Sequence, residues 1–181
     1  MVQKSAVDIL KQVCEGLEAR NIEYMVSGSY ALGTYVRMRT SRDIDIVINL
    51  KAEDLDSFLE IFREDFHLNK AAILVEVNRK GIFNVISELT GYKIDFIVKK
   101  NSEYRVVEFK RRRKKKLFDI EAWVTSPEDL ILSKLIWIQE LESGIQKTDI
   151  QNMLTEAEDL LDINYINFWI KKLNLKTYNL I

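Results

Sequence analysis

The sequence predicts a mixed α+β domain followed by a helical C-terminal part. Apolar residues recur at helical spacing in some stretches and in short β-branched runs in others, and the two kinds interleave up to about residue 125. Turn chemistry separates them, notably at Gly28-Ser29 and Thr90-Gly91. From Ser126 onward only helical patterns remain, opened by the N-cap sequence Ser126-Pro127-Glu128-Asp129. These observations divide the chain into a core over 1–125 and a helical subdomain over 126–181, joined without a Pro/Gly-rich linker.

Residues 2–19 read as an amphipathic helix, with Val7, Leu10, Cys14 and Leu17 on one stripe. Asn21 leads into a strand over 22–26. Residues 28–35 read as a turn and short helix, and 36–42 as a loop bearing Arg37, Arg39 and Arg42. The β-branched run Asp43–Ile48 reads as a strand. A second amphipathic helix is expected over 53–64, with Leu55, Phe58, Leu59 and Phe62 inward, and a loop holding His67 follows. Strands are predicted over 73–77, Ile82–Ser87 and 92–98, the last two forming a hairpin through Thr90-Gly91. Further strands are predicted over 104–109 and 118–124, flanking the basic run 110–116. The helix from 126 should reach Ser143 and end at Gly144. Helices over 149–160 and 164–173, with Asp162 and Asn164 as capping residues, complete the chain.

At 181 residues, with 47% hydrophobic and 30% charged residues, the composition is that of an ordinary globular domain. No apolar run reaches the length of a membrane span, and no signal-peptide pattern opens the sequence. A single cysteine, Cys14, excludes an internal disulfide and suits a reducing, cytoplasmic setting; its place on the apolar stripe makes it a core residue. The lone histidine, His67, excludes a multi-histidine zinc site and leaves a Ser-His-Asp triad unsupported. Net charge is −1, but 99–116 holds ten basic residues against two acidic ones.

The chemistry concentrates in residues 26–48. Gly28-Ser29 ends a short apolar run and precedes a helix, the arrangement that lets backbone N–H groups approach a phosphate. Asp43 and Asp45 lie two apart in a strand and so share one face, while Ile44 and Ile46 face a core. Asp95 is likewise set between apolar neighbours in its own strand. Three convergent carboxylates would repel one another unless a divalent cation such as Mg²⁺ held them. A phosphate cradle combined with metal carboxylates points to phosphoryl or nucleotidyl transfer.

Gly28-Ser29, Asp43-Ile44-Asp45 and the distant Asp95 resemble the ordered motif of the nucleotidyltransferase superfamily that includes DNA polymerase beta. Gly28-Ser29-Tyr30-Ala31-Leu32 and Arg39-Thr40-Ser41-Arg42-Asp43-Ile44-Asp45 are similar to the AbiEii-type minimal nucleotidyltransferases of toxin–antitoxin and phage-defence systems. So are Pro127, Glu128, Leu130, Lys134 and Leu135. The group's later acidic pair is matched by Asp149 only; its first Asp falls at Gln146, which leaves Asp149 no evident role beyond capping a helix.

The resemblance implies a small mixed sheet with helices mainly on one face. It also implies transfer of an NMP group from an NTP, ATP favoured, to a hydroxyl acceptor. Candidate acceptors are a protein side chain, a tRNA end or a small hydroxyl compound, and a cognate toxin or antitoxin chain is an implied partner. In that scheme Gly28, Ser29, Arg39 and Lys134 bind the nucleotide. Asp43, Asp45 and Asp95 are the catalytic metal carboxylates for two Mg²⁺ ions. From its position alone Lys134 reads either as a snorkelling lysine or as a phosphate contact. The basic run 110–116 reads either as an exposed hairpin tip or as a polyanion dock, with no aromatic residue inside it for base stacking. Two rival functions follow: a non-catalytic partner protein on the same fold, and an RNA-binding module using the basic run.

Overall fold

The computed structural model describes residues 4–41, 43–62 and 66–181. In chain order its elements are α1 (Ala6–Ala19), β1 (Tyr24–Val26), α2 (Gly28–Leu32), β2 (Asp43–Ile48), α3 (Leu55–Leu59), β3 (Phe66–His67), α4 (Lys70–Arg79) and β4 (Ile82–Ser87). There follow β5 (Lys93–Val98), α5 (Glu103–Lys110), β6 (Arg113–Leu117), β7 (Ile120–Val124), α6 (Pro127–Glu140), α7 (Gly144–Glu156) and α8 (Ile163–Lys172). The strands make one mixed sheet in the order β3-β4-β5-β2-β1-β7-β6. The α+β class and the helical end from 126 are as the sequence predicts.

Alternation along the central strands sets a buried and an open face. In β2, Ile44, Ile46 and Ile48 are fully buried while Asp43, Asp45 and Val47 are not; in β5, Ile94, Phe96 and Val98 are buried. The buried face packs on an aromatic cluster in which Phe58 of α3 meets Phe83 and Phe96 edge-on, and Phe83 stacks on Phe96. Cys14 lies in this core, and burial pushes its thiol up to about 12, which leaves it unreactive.

Several predicted elements need correction. The expected strand over 73–77 is the helix α4: Asn69 caps it by accepting from the Ala72 N–H, and only Ile73 and Val77, four apart, are buried. The expected strand over 104–109 is the helix α5, which buries Tyr104, Glu108 and Phe109. In both cases β-branched content outweighed a four-residue spacing that only packing makes decisive. Gly144 starts α7 rather than ending α6; Leu141 is already extended and Ser143 caps α7 on the Gln146 N–H. The second amphipathic helix is a 3₁₀ turn over Ala52–Asp54 followed by the short α3. Its predicted end at 63–64, and residues 2–3 of the first helix, lie outside the described residues. The Ser126 cap forms as expected, its hydroxyl accepting from the Asp129 N–H.

Candidate active site

The site grows from the pairing of β1 with β2. The two run antiparallel with Val26 opposite Ile46, so the chain leaving β1 passes beside Asp45, and the Ser27 N–H donates to the Asp45 carbonyl at 2.8 Å. Gly28 follows with φ +57°, and a Cβ placed there would lie 1.9 Å from Asp45 Oδ2. A side chain is therefore excluded twice, by conformation and by the carboxylate. Ser29 is buried in the first turn of α2.

β2 runs parallel to β5 with Asp45 directly opposite Asp95 and Asp43 opposite Lys93. The three predicted carboxylates thus share the open face of neighbouring central strands. Burial, then the charges of Asp95 and Asp43, raise the Asp45 carboxyl to about 6, against the pull of Lys134 and Lys93. Lys93, two residues before Asp95 and so on its face, donates to Asp95 at 2.8 Å and lies 3.6 Å from Asp43. Its hydrogen bond to Asp95 raises its own pKa. Among the described residues no three His, Cys, Asp or Glu side chains are gathered to ligate one ion as they stand. The donors nevertheless suit Mg²⁺: all are hard oxygens, and Asp43 and Asp95 already attract a cationic group between them. Sequence reasoning missed Lys93, although its spacing to Asp95 would have revealed it.

Lys134 comes from α6 and is 4% exposed. Its ammonium donates to Asp149 Oδ2 at 2.7 Å and to Gln146 Oε1 at 2.8 Å, both on α7. Snorkelling is thus excluded. Burial lowers the Lys134 pKa, with Asp149 opposing. Arg39 grips the same Asp149 with Nε and Nη2, at 3.0 and 3.1 Å. Burial opposes ionisation of Asp149, but hydrogen bonds from Arg39 and Lys134 outweigh it and hold the carboxyl below its usual value. Asp149 is therefore no helix cap: it sits inside α7 and joins the loop before β2 to α6. Gln146, at the position where the acidic pair of the resembled group breaks, supplies an oxygen to the same lysine. Arg37 is exposed and its backbone N–H meets Glu156; Arg42 lies outside the described residues.

A cavity of about 440 Å³ opens beside Asp45 on this face. Gly28, Asp45 and Lys134 line it together, while Asp43, Asp95 and Lys93 lie outside its lining.

The basic run is not a hairpin tip. Lys110 ends α5, and Arg113 to Lys116 form the edge strand β6, with Phe118 and Asp119 at the turn. Arg111 bonds to Glu128 and Asp129, Arg112 to Glu23, and Arg113 approaches Glu128. Arg112 and Lys114 also lie over the Trp123 ring on the neighbouring strand, so aromatic partners come from outside the run.

Among the described residues no helix is long and apolar enough to cross a membrane. The sequence matches the nucleotidyltransferase domain family over residues 7–119. No curated protein sequence matches it. Among solved structures, the chain is similar to ANT(2'')-Ia in complex with adenylyl-2''-tobramycin, with a TM-score of 0.59 and 12% identity over 94% of this chain and 98% of that one. It is also similar to an antigenic nucleotidyltransferase-like protein from Paracoccidioides brasiliensis, with a TM-score of 0.54 and 16% identity over 93% and 89%. A third is the lincosamide antibiotic adenylyltransferase LnuA in its lincomycin-bound form, with a TM-score of 0.52 and 14% identity over 81% and 95%. These likenesses concern the fold; the family match spans more than half of the sequence, and the chain belongs to the nucleotidyltransferase domain family.

Proposed function

We propose that the protein is a Mg²⁺-dependent nucleotidyltransferase that moves an NMP group from an NTP to a hydroxyl acceptor. The observation that carries this reading is the meeting of Gly28, Asp45 and Lys134 around one cavity, with Asp95 directly opposite Asp45. Backbone N–H groups at Gly28 and Ser29 and the Lys134 ammonium would bind the triphosphate. Asp43, Asp45 and Asp95 would hold two Mg²⁺ ions, which when bound would neutralise charge on the phosphates and activate the attacking hydroxyl. Asp95 would also accept the proton of the acceptor hydroxyl. Asp149 holds Lys134 and Arg39 in register, so Arg39 acts through Asp149 as well as through any direct phosphate contact.

The acceptor chemistry is that of a hydroxyl: a protein side chain, a tRNA end or a small molecule. Two of the structural neighbours are named as acting on, or binding, small antibiotics, which supports the last class. The reading extends to a cytoplasmic protein of the AbiEii-type group with a cognate toxin or antitoxin chain, and co-purification with such a chain would check it. The direct test supplies an α-labelled NTP, Mg²⁺ and candidate acceptors, and follows labelled product and pyrophosphate. Transfer that disappears in Asp45→Asn supports the reading; unchanged transfer in that variant would refute it.

A further inference from the structure

The cavity is lined by Asp45 but not by Asp43 or Asp95, and another part of its wall contains groups that the phosphate and metal chemistry does not use. On α6, Leu130, Ser133, Lys134 and Trp137 fall three and four residues apart and line it together. Trp137 stands one turn beyond Lys134 and is 48% exposed, although it is a large aromatic ring in a cavity wall. The sheet contributes Ile82, itself half exposed, and Ile97, its direct cross-strand partner. An exposed indole in the same cleft as an apolar sheet surface suits a flat ring.

Arg105 of α5 also lines this part. Its Nη1 donates to both oxygens of the buried Glu108, at 2.8 and 2.9 Å, and to Ser133 Oγ at 2.7 Å. The Ser133 hydroxyl donates in turn to Glu108, so both oxygens of that carboxylate and the hydroxyl are engaged. The guanidinium is thereby held in one orientation. Its other edge, Nε and Nη2, makes no hydrogen bond among the described residues, and neither atom is fully buried without a partner. That edge is the side-on fork that Arg39 uses on Asp149. It has donors and no acceptor.

We propose that this part of the cavity is a base-reading pocket in which Trp137 stacks on the nucleobase and the fixed Nε/Nη2 fork of Arg105 selects bases with two adjacent acceptors. Guanine offers O6 and N7, and cytosine offers O2 and N3. Adenine places an amino donor beside N7, and uracil places an N–H between its carbonyls, so each sets a donor against the fork. The inference rests on the nucleotidyltransferase reading and departs from the ATP that the resemblance favours.

The test is calorimetric titration of the full chain with GTP, CTP, ATP and UTP in Mg²⁺, on wild type, Arg105→Lys and Trp137→Ala. The expected result is GTP and CTP binding about 10-fold or more tighter than ATP and UTP, a ratio that Arg105→Lys collapses. That variant keeps a cation for Glu108 but loses the fork. Trp137→Ala should weaken all four nucleotides and leave the ratio. Equal binding of the four by wild type, or tightest binding of ATP, overturns base reading while leaving the nucleotide site intact. No binding of any NTP to folded wild type defeats the nucleotidyltransferase reading itself. The wild-type ranking decides the matter even if Arg105→Lys folds poorly.

Discussion

The carboxylate face of β2 and β5 and the basic run 110–116 both stand out as charge clusters, yet the fold treats them in opposite ways. Asp45 is set opposite Asp95 and near Asp43, with like charges adding to burial in raising its pKa. In the basic run, Arg111, Arg112 and Arg113 have carboxylate partners, and Lys114 lies 3.7 Å from Glu18. Lys93 bridges Asp43 and Asp95, but Asp45 has no ion-pair partner among the described residues. A carboxylate crowded and buried beside a cavity marks a candidate binding site, whereas density of charge along the sequence says little until partners are known. The edge position of β6 supplies a sufficient reason for its lysines, which discourage pairing with another sheet.

This contrast can be broken in four places. The largest effect is expected on chemistry: Asp43→Asn or Asp45→Asn should lower the transfer rate by about 10³-fold with an unchanged circular dichroism spectrum. A variant of either kind with near-normal Mg²⁺-dependent turnover would remove the carboxylates from the site. Next is Asp149→Ala, which takes the carboxylate partner from both the buried Lys134 and Arg39. Urea unfolding should report a loss of about 3–5 kcal/mol, with Asp149→Asn costing less. A loss under about 1 kcal/mol would show that the triad does not join α6 and α7 to the loop before β2.

The third concerns pH. The Asp45 carboxyl titrates higher in the folded state, at about 6, than its ordinary 3.8. Its protonated form is favoured by folding, so the contribution is fully present below about 4 and is lost as pH rises through about 6. In metal-free protein, Asp45→Asn should therefore be more stable than wild type at pH 7 by about 1–2 kcal/mol, a figure reduced for the carboxylate's partial exposure, and the gap should close by pH 4. A constant gap across that range would contradict the crowding of charge. The smallest effect belongs to the basic run: Lys116→Ala should shift stability by no more than about 0.5 kcal/mol. This exposed lysine has no ion-pair or aromatic partner among the described residues, unlike Lys115, whose ammonium lies over the Tyr35 ring. Arg111→Ala, which strips bonds from the buried Glu128 and Asp129, should cost several times more.

The contrast also explains what the sequence made legible. Asp43, Asp45 and Asp95 were readable because strand alternation is a local rule, and a two-residue spacing puts side chains on one face wherever the strand goes. Gly28 was readable for a similar reason, though only the antiparallel pairing of β1 with β2 reveals that Asp45 is what excludes a side chain there. Lys134 stood out as a cation on an apolar stripe, but its partner Asp149 lies on another helix, and no local pattern connects them to Arg39, 110 residues before Asp149 in the chain. The α4 and α5 segments were misread because Ile73, Val75 and Val77, and Val106 and Val107, favour strands by themselves. Packing of one helical face overrides that preference.

The most direct test of the central claim, that this carboxylate face and the Gly28–Lys134 cavity form one metal–nucleotide site, is calorimetric binding of each NTP with and without Mg²⁺. It should compare wild type with the Asp43→Asn/Asp45→Asn double variant. The account predicts Mg²⁺-dependent binding to wild type that the double substitution removes. Binding that is indifferent to Mg²⁺ and survives both substitutions would contradict it.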